Sequence, residues 1–257
     1  MSMIAENISL HLSGFDLLRH IDLTVEAGKV TALVGPNGAG KSSLLKVLTG
    51  DLKPTCGRLL LNDRDLEQWP LTDRANLLAV LPQHTTLNFP FTASEVVELG
   101  CVSHLTGYTR DREITTSALD LVDASYLQKR LYTQMSGGEK QRVQLARVLA
   151  QIWSPSDLGQ QFLVLDEPSS AFDLSHQQMI LDIVRQFANR GVGVLMVLHD
   201  LNLAAKCADN LVVINGGAIE VQGAPEDVLT EQLIEKVFGV KSSITRHPVT
   251  QTPLVIT

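Results

Sequence analysis

Long apolar runs are missing from this sequence of 257 residues. The longest, at residues 162–165 and 192–198, are far shorter than the ~20 residues that a membrane-spanning helix needs. The N-terminal segment carries an acidic residue and a turn, where a signal peptide would have a basic segment and a long apolar core. We therefore expect a cytoplasmic protein that reaches a membrane only through a partner protein.

Basic residues and paired cysteines are also scarce. The net charge is -7 at pH 7, which disfavours nucleic-acid binding, because proteins of that class usually carry a basic surface. Cys56, Cys101 and Cys207 lie far apart and form no CxxC pattern, so we expect neither a disulfide framework nor a cysteine metal site. Their expected role is that of small buried apolar residues.

What the sequence does contain is a repeated arrangement in which a short apolar strand ends in polar residues. Val30–Val34 runs into a glycine-rich loop, and the leucines of Lys41–Leu48 then follow at helical spacing. Two further apolar runs, at 162–165 and 194–198, also end in polar side chains. This pattern predicts an α/β fold with a parallel sheet, and such sheets bind ligands at the carboxyl ends of their strands. The segment around 215–217 predicts a β-hairpin.

The middle of the chain has a different pattern, with few β-branched runs. Residues 94–99 and 114–121 show helical periodicity, and a last helix is expected to start near Gly138. We interpret this part as a helical insertion in one domain. The expected boundaries are residues 1–90 and 155–257 for the α/β core and about 91–154 for the helical subdomain.

The glycine-rich loop fits the pattern G-x-x-x-x-G-K-[ST], which is typical of phosphate-binding loops. Its glycines allow backbone N–H groups to curl around a polyphosphate, at the positive end of the following helix. Lys41 would contact the β- and γ-phosphates, and the Ser42 hydroxyl would bind Mg²⁺. The alternative is a glycine-rich turn without a ligand. The expected nucleotide-binding residues are Gly35, Pro36, Asn37, Gly38, Ala39, Gly40, Lys41, Ser42 and Ser43.

Two adjacent acids follow the apolar run at 162–165. Asp166 is placed to hold Mg²⁺, and Glu167 to orient or deprotonate an attacking water. Glu167 therefore favours hydrolysis over transfer to a substrate hydroxyl. The alternative is a solvated strand end followed by a turn. His199 ends another strand and, like Gln83, gives only a weak signal by itself.

The segment Met135-Ser136-Gly137-Gly138-Glu139 connects these features. Together with the loop, Gln83, the acid pair and His199 in this order, it closely resembles the ATP-binding-cassette (ABC) family over nearly the whole chain. The family usually has Leu at Met135 and Thr at Ser43. Its D-loop, Ser-Ala-Leu-Asp, is similar to residues 170–173, where Asp173 is the last residue.

The resemblance implies an α/β fold with a RecA-like P-loop NTPase core, an inserted helical subdomain and an N-terminal antiparallel β region. It implies an ATPase in which Glu167, His199 and Gln83 are catalytic, with ATP and Mg²⁺ as cofactors. The implied Mg²⁺ ligands are Ser42, Gln83 and Asp166. The implied signature residues, which act on the ATP of a second subunit in a homodimer, are Ser136, Gly137, Gly138 and Glu139.

At the place expected for adenine, the sequence departs from the pattern of the family. Members of the family often stack the base on an aromatic residue of the first strand. Leu12 lies nearest that place, and His11 and Phe15 are alternatives.

The segments at 80–92, 95–100, 150–155 and 173–177 are similar to importer ATPases for iron chelates and vitamin B12, and above all to those for hemin. The resemblance implies an energy-coupling subunit on the cytoplasmic face of the bacterial inner membrane. The implied partners are two transmembrane permease subunits and a periplasmic substrate-binding protein, without nucleic acid.

Several alternatives stay open on the sequence alone. Ferric siderophore or cobalamin could replace hemin as the imported substrate. A soluble ABC ATPase of DNA repair or translation is a second class, although residues 43–135 leave no room for a long coiled coil. A P-loop kinase or a GTPase is a third, although the guanine-reading Asn-Lys-x-Asp is missing. The sequence has no CxxCH motif and no suitably arranged pair of histidines, so we do not expect this chain to bind haem itself. We interpret His84, His104 and His176 as surface residues or partner contacts.

Overall fold

The computed structural model describes residues 1–83, 85, 87–104, 107–168 and 173–257. The strands of these ranges are β1 (Ser2–Leu12), β2 (Phe15–Glu26), β3 (Val30–Val34), β4 (Cys56–Leu61), β5 (Arg64–Asp65), β6 (Leu78–Leu81), β7 (Phe162–Asp166), β8 (Gly193–Val197), β9 (Asn210–Asn215), β10 (Ala218–Gly223), β11 (Ser243–Arg246) and β12 (Pro253–Ile256).

The helices of the same ranges are α1 (Lys41–Leu48), α2 (Leu71–Leu77), α3 (Ala93–Glu98), α4 (Tyr108–Leu121), α5 (Gly137–Gln151), α6 (Leu174–Asn189), α7 (Leu201–Cys207), α8 (Pro225–Val228) and α9 (Glu231–Phe238). Short 3-10 helices cover Leu66–Gln68, Leu99–Ser103, Ser125–Leu127 and Tyr132–Gln134. None of the helices listed here combines the length and the apolar character that crossing a bilayer requires.

A six-stranded sheet forms the centre of the molecule, in the order β10-β9-β3-β8-β7-β6. The strands from β9 to β6 run parallel, and β10 is antiparallel to β9. Its middle strands are apolar throughout because both faces of the sheet are covered. Alternate residues face opposite sides: Leu163 and Leu165 of β7 join one hydrophobic cluster, while Phe162 and Val164 join the other.

A second sheet, in the order β2-β1-β4-β5, is antiparallel and packs with α1 on one side of the central sheet. Helices α3, α4 and α5 contact one another and share a hydrophobic cluster with the other side. The α/β class, the N-terminal antiparallel region and the inserted helices are therefore confirmed.

One of the expectations for the cysteines turned out differently. Cys101 and Cys207 are buried, as expected, and burial raises the pKa of their thiols to about 11 and about 12. Cys56 is exposed, because it begins β4 at a position where the strand is not covered. The hairpin around 215–217 is confirmed as the β9–β10 turn.

Candidate nucleotide-binding site

The glycine-rich loop joins β3 to α1 and lies close to two neighbouring segments. A Cβ atom at Gly35 would lie 2.2 Å from the carbonyl oxygen of Ile214 in β9. Gly40 has a φ of +106°, and a Cβ there would lie 2.9 Å from the carbonyl oxygen of Leu17. The backbone of the loop can take this path only because both positions lack a side chain.

Lys41, the first residue of α1, points back into the loop. Its Nζ donates hydrogen bonds to the carbonyl oxygens of Gly35, at 2.7 Å, and Pro36, at 3.0 Å. Burial lowers the pKa of this ammonium group, and the nearby carboxylates of Glu167 and Asp166 oppose that shift. The loop therefore carries a buried positive charge, which would bind an incoming polyphosphate.

A cleft of about 440 Å³ opens over the loop. Its described lining consists of Asp16, Leu17, Asn37, Gly38, Ala39, Gly40, Lys41, Ser42, Ser43, Glu167, His199, Gly216 and Gly217. Most of the expected loop residues line this cleft. Gly35 and Pro36 are not among the lining residues, but their carbonyl oxygens accept the hydrogen bonds from Lys41, which is.

Four residues of the cleft were not expected from the sequence: Asp16, Leu17, Gly216 and Gly217. The β9–β10 turn reaches the loop through a hydrogen bond from the Gly217 N–H to the Ala39 carbonyl, at 2.9 Å. The Arg19 N–H of β2 in turn donates to the Gly217 carbonyl, at 2.7 Å. The Asn-Gly-Gly pattern predicts the turn but not this contact between distant parts of the chain.

Leu12, His11 and Phe15 stay the predicted candidates for stacking on adenine. Leu12 pairs with Phe15 at the β1–β2 turn, where both side chains are exposed, and His11 is bonded to Asp16 at 2.8 Å. None of Leu12, His11 and Phe15 is among the described residues that line the cleft. The next residues of β2, Asp16 and Leu17, line the cleft, because this part of the strand lies beside Gly40 of the loop.

Glu167 is the residue where the expected polar side chains meet. It follows β7, and its N–H donates to the carbonyl of Val197 at the end of β8. Gln83 Nε2 donates to its Oε2 at 2.7 Å, and His199 Nε2 is hydrogen-bonded to its Oε1. The ends of three parallel strands thus bring together Gln83, Glu167 and His199.

The backbone at Glu167 is unusual. Its φ is +50°, in the left-handed region that residues with a side chain rarely occupy. Such a conformation costs on the order of 1 kcal/mol and is common at functional sites. The turn directs the carboxylate towards the loop, where it lines the cleft with His199.

The expected Mg²⁺ ligands are hard oxygen donors, which suit this ion. Ser42 is exposed in the first turn of α1, Asp166 is half-buried at the end of β7, and Gln83 follows β6. Strands β6 and β7 are parallel neighbours with Leu81 opposite Leu165, so Gln83 and Asp166 lie at the same edge of the sheet. The residues present therefore fit a nucleoside triphosphate with Mg²⁺.

The signature residues form the start of α5. The Ser136 hydroxyl accepts a hydrogen bond from the Glu139 N–H, and the Glu139 carboxylate accepts one from the Ser136 N–H, at 2.8 Å. This last bond holds the pKa of Glu139 below its ordinary value. A Cβ at Gly137 would meet no atom within 4 Å. Contacts within the chain thus do not explain this glycine, and no described residue of 135–140 lines the cleft.

Asp173 caps the N-terminus of α6. Its carboxylate accepts hydrogen bonds from the His176 N–H, the Ser175 hydroxyl and the His176 ring, which keep its pKa well below its usual range. The other D-loop positions, Ser170, Ala171 and Phe172, lie outside the described residues.

The histidines interpreted as surface residues are more involved in the fold than expected. His104 is half-buried, with Nε2 bonded to the Gln151 carbonyl, and His176 is half-buried between Asp173 and Arg142. His84 lies outside the described residues.

Comparison with known proteins gives close relatives. Residues 18–170 match the family described as ABC transporter. The hemin import ATP-binding protein HmuV of Gloeobacter violaceus is 47% identical over 254 residues, covering 98% of this chain and 92% of the relative. The protein of the same name from Pseudomonas aeruginosa is 46% identical over 251 residues, covering 98% of each.

Solved structures share the fold. An inward-facing metal-chelate type ABC transporter superposes with a TM-score of 0.80 at 22% identity, covering 99% of this chain and 96% of the other. A dimeric ATP-binding cassette in a post-hydrolysis state with ADP and phosphate has a TM-score of 0.76 at 23% identity, covering 87% and 98%. With the sequence relatives and the cleft, these comparisons lead to one assignment: the chain belongs to the ABC transporter family and is one of its ATPases.

Proposed function

We propose that this chain is the energy-coupling ATPase subunit of an importer for hemin. The observation that carries the proposal is the 46–47% identity to hemin import ATP-binding proteins over 98% of the chain. The cleft supports it, because its lining combines the phosphate loop with Glu167 and His199, which are groups that ATP hydrolysis needs.

Within the cleft, we assign the chemistry to groups that surround one carboxylate. Glu167 takes a proton from the attacking water, and Gln83 and His199 orient it through its two oxygens. Lys41 and the loop amides would hold the phosphates, while Ser42, Asp166 and Gln83 would hold Mg²⁺. When bound, Mg²⁺ neutralises charge on the phosphate oxygens.

We propose that the start of α5 contacts the ATP that a second copy of the chain binds. Ser136 and Gly137 are exposed, and the backbone N–H groups at the start of this 15-residue helix provide an anion site. A two-fold dimer would bring this helix end to the phosphate loop of the partner, with Asp173 at the same interface. The signature residues Ser136, Gly137, Gly138 and Glu139 would then close over ATP that the other copy binds.

We assign binding of the membrane partner to the surface around α3. Phe89, Leu99 and Val102 expose large apolar side chains, and the Phe89 and Phe91 rings lie 6.0 Å apart. Exposed apolar groups so close in the chain are typical of a docking surface. A cytoplasmic helix of a permease would bind here, with two permease subunits and a periplasmic substrate-binding protein in the complex. The proposed location of the chain is peripheral, on the cytoplasmic face of the bacterial inner membrane.

The functions proposed for the two parts of the chain agree with the proposed boundaries within one domain. Residues 1–90 and 155–257 would bind the nucleotide, and residues 91–154 would carry both the signature and the permease surface. Helices α3, α4 and α5 lie in this middle stretch.

Reconstitution tests the proposal. The chain is purified with candidate permease and binding proteins from its own genome, placed in lipid vesicles, and assayed for ATPase activity with hemin, a ferric siderophore or cobalamin. We expect hemin to stimulate hydrolysis and to enter the vesicles. Stimulation by a siderophore or cobalamin but not by hemin would overturn the assigned substrate, and failure to assemble with any permease would overturn the transport role.

A further inference from the structure

Two consecutive residues of α5 connect this helix to the segment that follows the acid pair. Gln141 Nε2 donates a hydrogen bond of 2.9 Å to the carbonyl oxygen of Pro168. Pro168 directly follows Glu167, whose backbone has the left-handed conformation described above. A side chain of the signature helix therefore holds the residue next to the proposed base.

Arg142, the next residue, is directed to the other end of the same segment. It is only 6% exposed. Its Nη1 lies 2.6 Å from the Nε2 atom of His176, and its Nη2 donates to the Tyr126 hydroxyl at 2.6 Å. Asp123 lies 3.5 Å from Nη1 and supplies the nearby negative charge. A buried guanidinium requires such partners for its hydrogen bonds.

The partners of His176 determine which of its ring nitrogens carries the proton. A guanidinium can only donate, so Nε2 of His176 must accept from Arg142. The proton is then on Nδ1, which lies 2.8 Å from Asp173 Oδ1 and donates to it. The neutral ring thus connects Arg142 of α5 to Asp173 at the start of α6.

We propose that Gln141 and His176 are positioning residues for hydrolysis. Through them, helix α5 contacts both ends of the segment between Glu167 and Asp173: Gln141 bonds to Pro168, and Arg142 is connected to Asp173 through His176 of α6. The proposal rests on the assignment of Glu167 as the base. The helix that presents Ser136 to a second copy thereby also sets the place of Glu167 in its own chain, so a rotation of α5 changes the geometry of the proposed base.

Two substitutions of His176 separate the ring's hydrogen bond to Asp173 from the one it accepts from Arg142. His176→Asn keeps a donor near the Nδ1 position for Asp173 but no longer reaches Arg142. His176→Gln places an acceptor near the Nε2 position and keeps the bond from Arg142. Asp173 still accepts from the backbone N–H of residue 176 in both variants. We expect kcat of ATP hydrolysis to fall roughly tenfold in His176→Asn, with KM for ATP within about twofold, and His176→Gln to stay within about twofold of the parent chain.

His247 provides a matched control. It is also half-buried, and its Nδ1 accepts backbone hydrogen bonds within the C-terminal turn. Its Asn and Gln variants should leave kcat unchanged. Wild-type kcat in both His176 variants would overturn the proposal. An equal loss in the two would overturn it as well, because the bond from Arg142 would then not be the one that matters.

Gln141→Glu tests the other attachment, since a carboxylate cannot donate to the Pro168 carbonyl. We expect the same split, a lower kcat with little change in KM for ATP. Unchanged kcat would remove Gln141 from the proposal. Glu167→Gln is measured in parallel: if that variant hydrolyses ATP normally, the proposed base has failed, whereas its inactivity beside fully active His176 and Gln141 variants means that only the positioning role has failed.

Discussion

Gln83 and Glu167 are 84 positions apart in the chain, yet Gln83 Nε2 lies 2.7 Å from Glu167 Oε2. His199 is bonded to the other carboxylate oxygen. Both oxygens of this side chain are therefore held by groups from neighbouring strand ends. A carboxylate fixed in this way has a defined direction in which to accept a proton.

Removing the proton acceptor without changing its shape should separate binding from hydrolysis. In Glu167→Gln, we expect turnover to fall roughly 100-fold or more while ATP binding persists, because the loop and Lys41 are intact. The variant should accumulate as an ATP-bound dimer, measured by size-exclusion chromatography with ATP. The control is Glu113→Gln in α4, which removes a charge from an exposed ion pair with Arg110. Near-normal turnover in Glu167→Gln would contradict the assignment.

Lys41→Ala should weaken nucleotide binding itself. The variant removes the buried ammonium that the Gly35 and Pro36 carbonyls hold against the cleft. We expect affinity for ATP to fall roughly tenfold or more, since charge-assisted hydrogen bonds to phosphate are lost. Isothermal titration calorimetry measures the change. Lys46→Ala, at an exposed position of the same helix, is the matched control and should bind ATP as the parent does.

Ser136→Arg should block dimer closure but spare binding of ATP to one copy. The residue is exposed at the start of α5, and a long side chain would occupy the space that a second copy's nucleotide requires. Loss of the cap also lowers the free energy of unfolding by about 1 kcal/mol. Thr230→Arg removes the equivalent cap of α9 and serves as the control for that cost. Full ATPase activity in Ser136→Arg would be incompatible with a site shared between copies.

Acid should weaken the start of α5. The pKa of Glu139 is lower in the folded chain, so its contribution to stability is complete above its ordinary pKa and is lost as the pH falls through the folded value. Glu139→Gln should therefore lower the melting temperature at about pH 7, and its difference from the parent should shrink by about pH 4. Differential scanning calorimetry measures both, with Glu113→Gln as the control. A difference that does not change with pH would contradict this origin.

Much of the site follows from local patterns in the sequence. The apolar runs of β3, β7 and β8 are continuous because both faces of the sheet are covered, and each ends at a polar group of the cleft. The glycines of the loop and the Ser136 cap are likewise recognisable from short spacings. Such features depend on a few neighbouring residues, which is why the sequence predicts them.

Contacts between distant segments were the part that could not be predicted. Leu17 and Gly217 reach the cleft only because β2 and the β9–β10 turn meet at the loop, through the bond between Arg19 and Gly217. No periodicity encodes that meeting. The role proposed for His176 could not be predicted either, because it depends on a guanidinium 34 positions away.

The left-handed backbone of Glu167 carries a local strain that glycine or asparagine would reduce. Neither residue would keep the hydrogen bonds of both carboxylate oxygens with Gln83 and His199, and neither could accept a proton from water as the proposed base does. The strain and the proposed chemistry therefore belong to the same residue, and a substitution that relieves the first also removes the second.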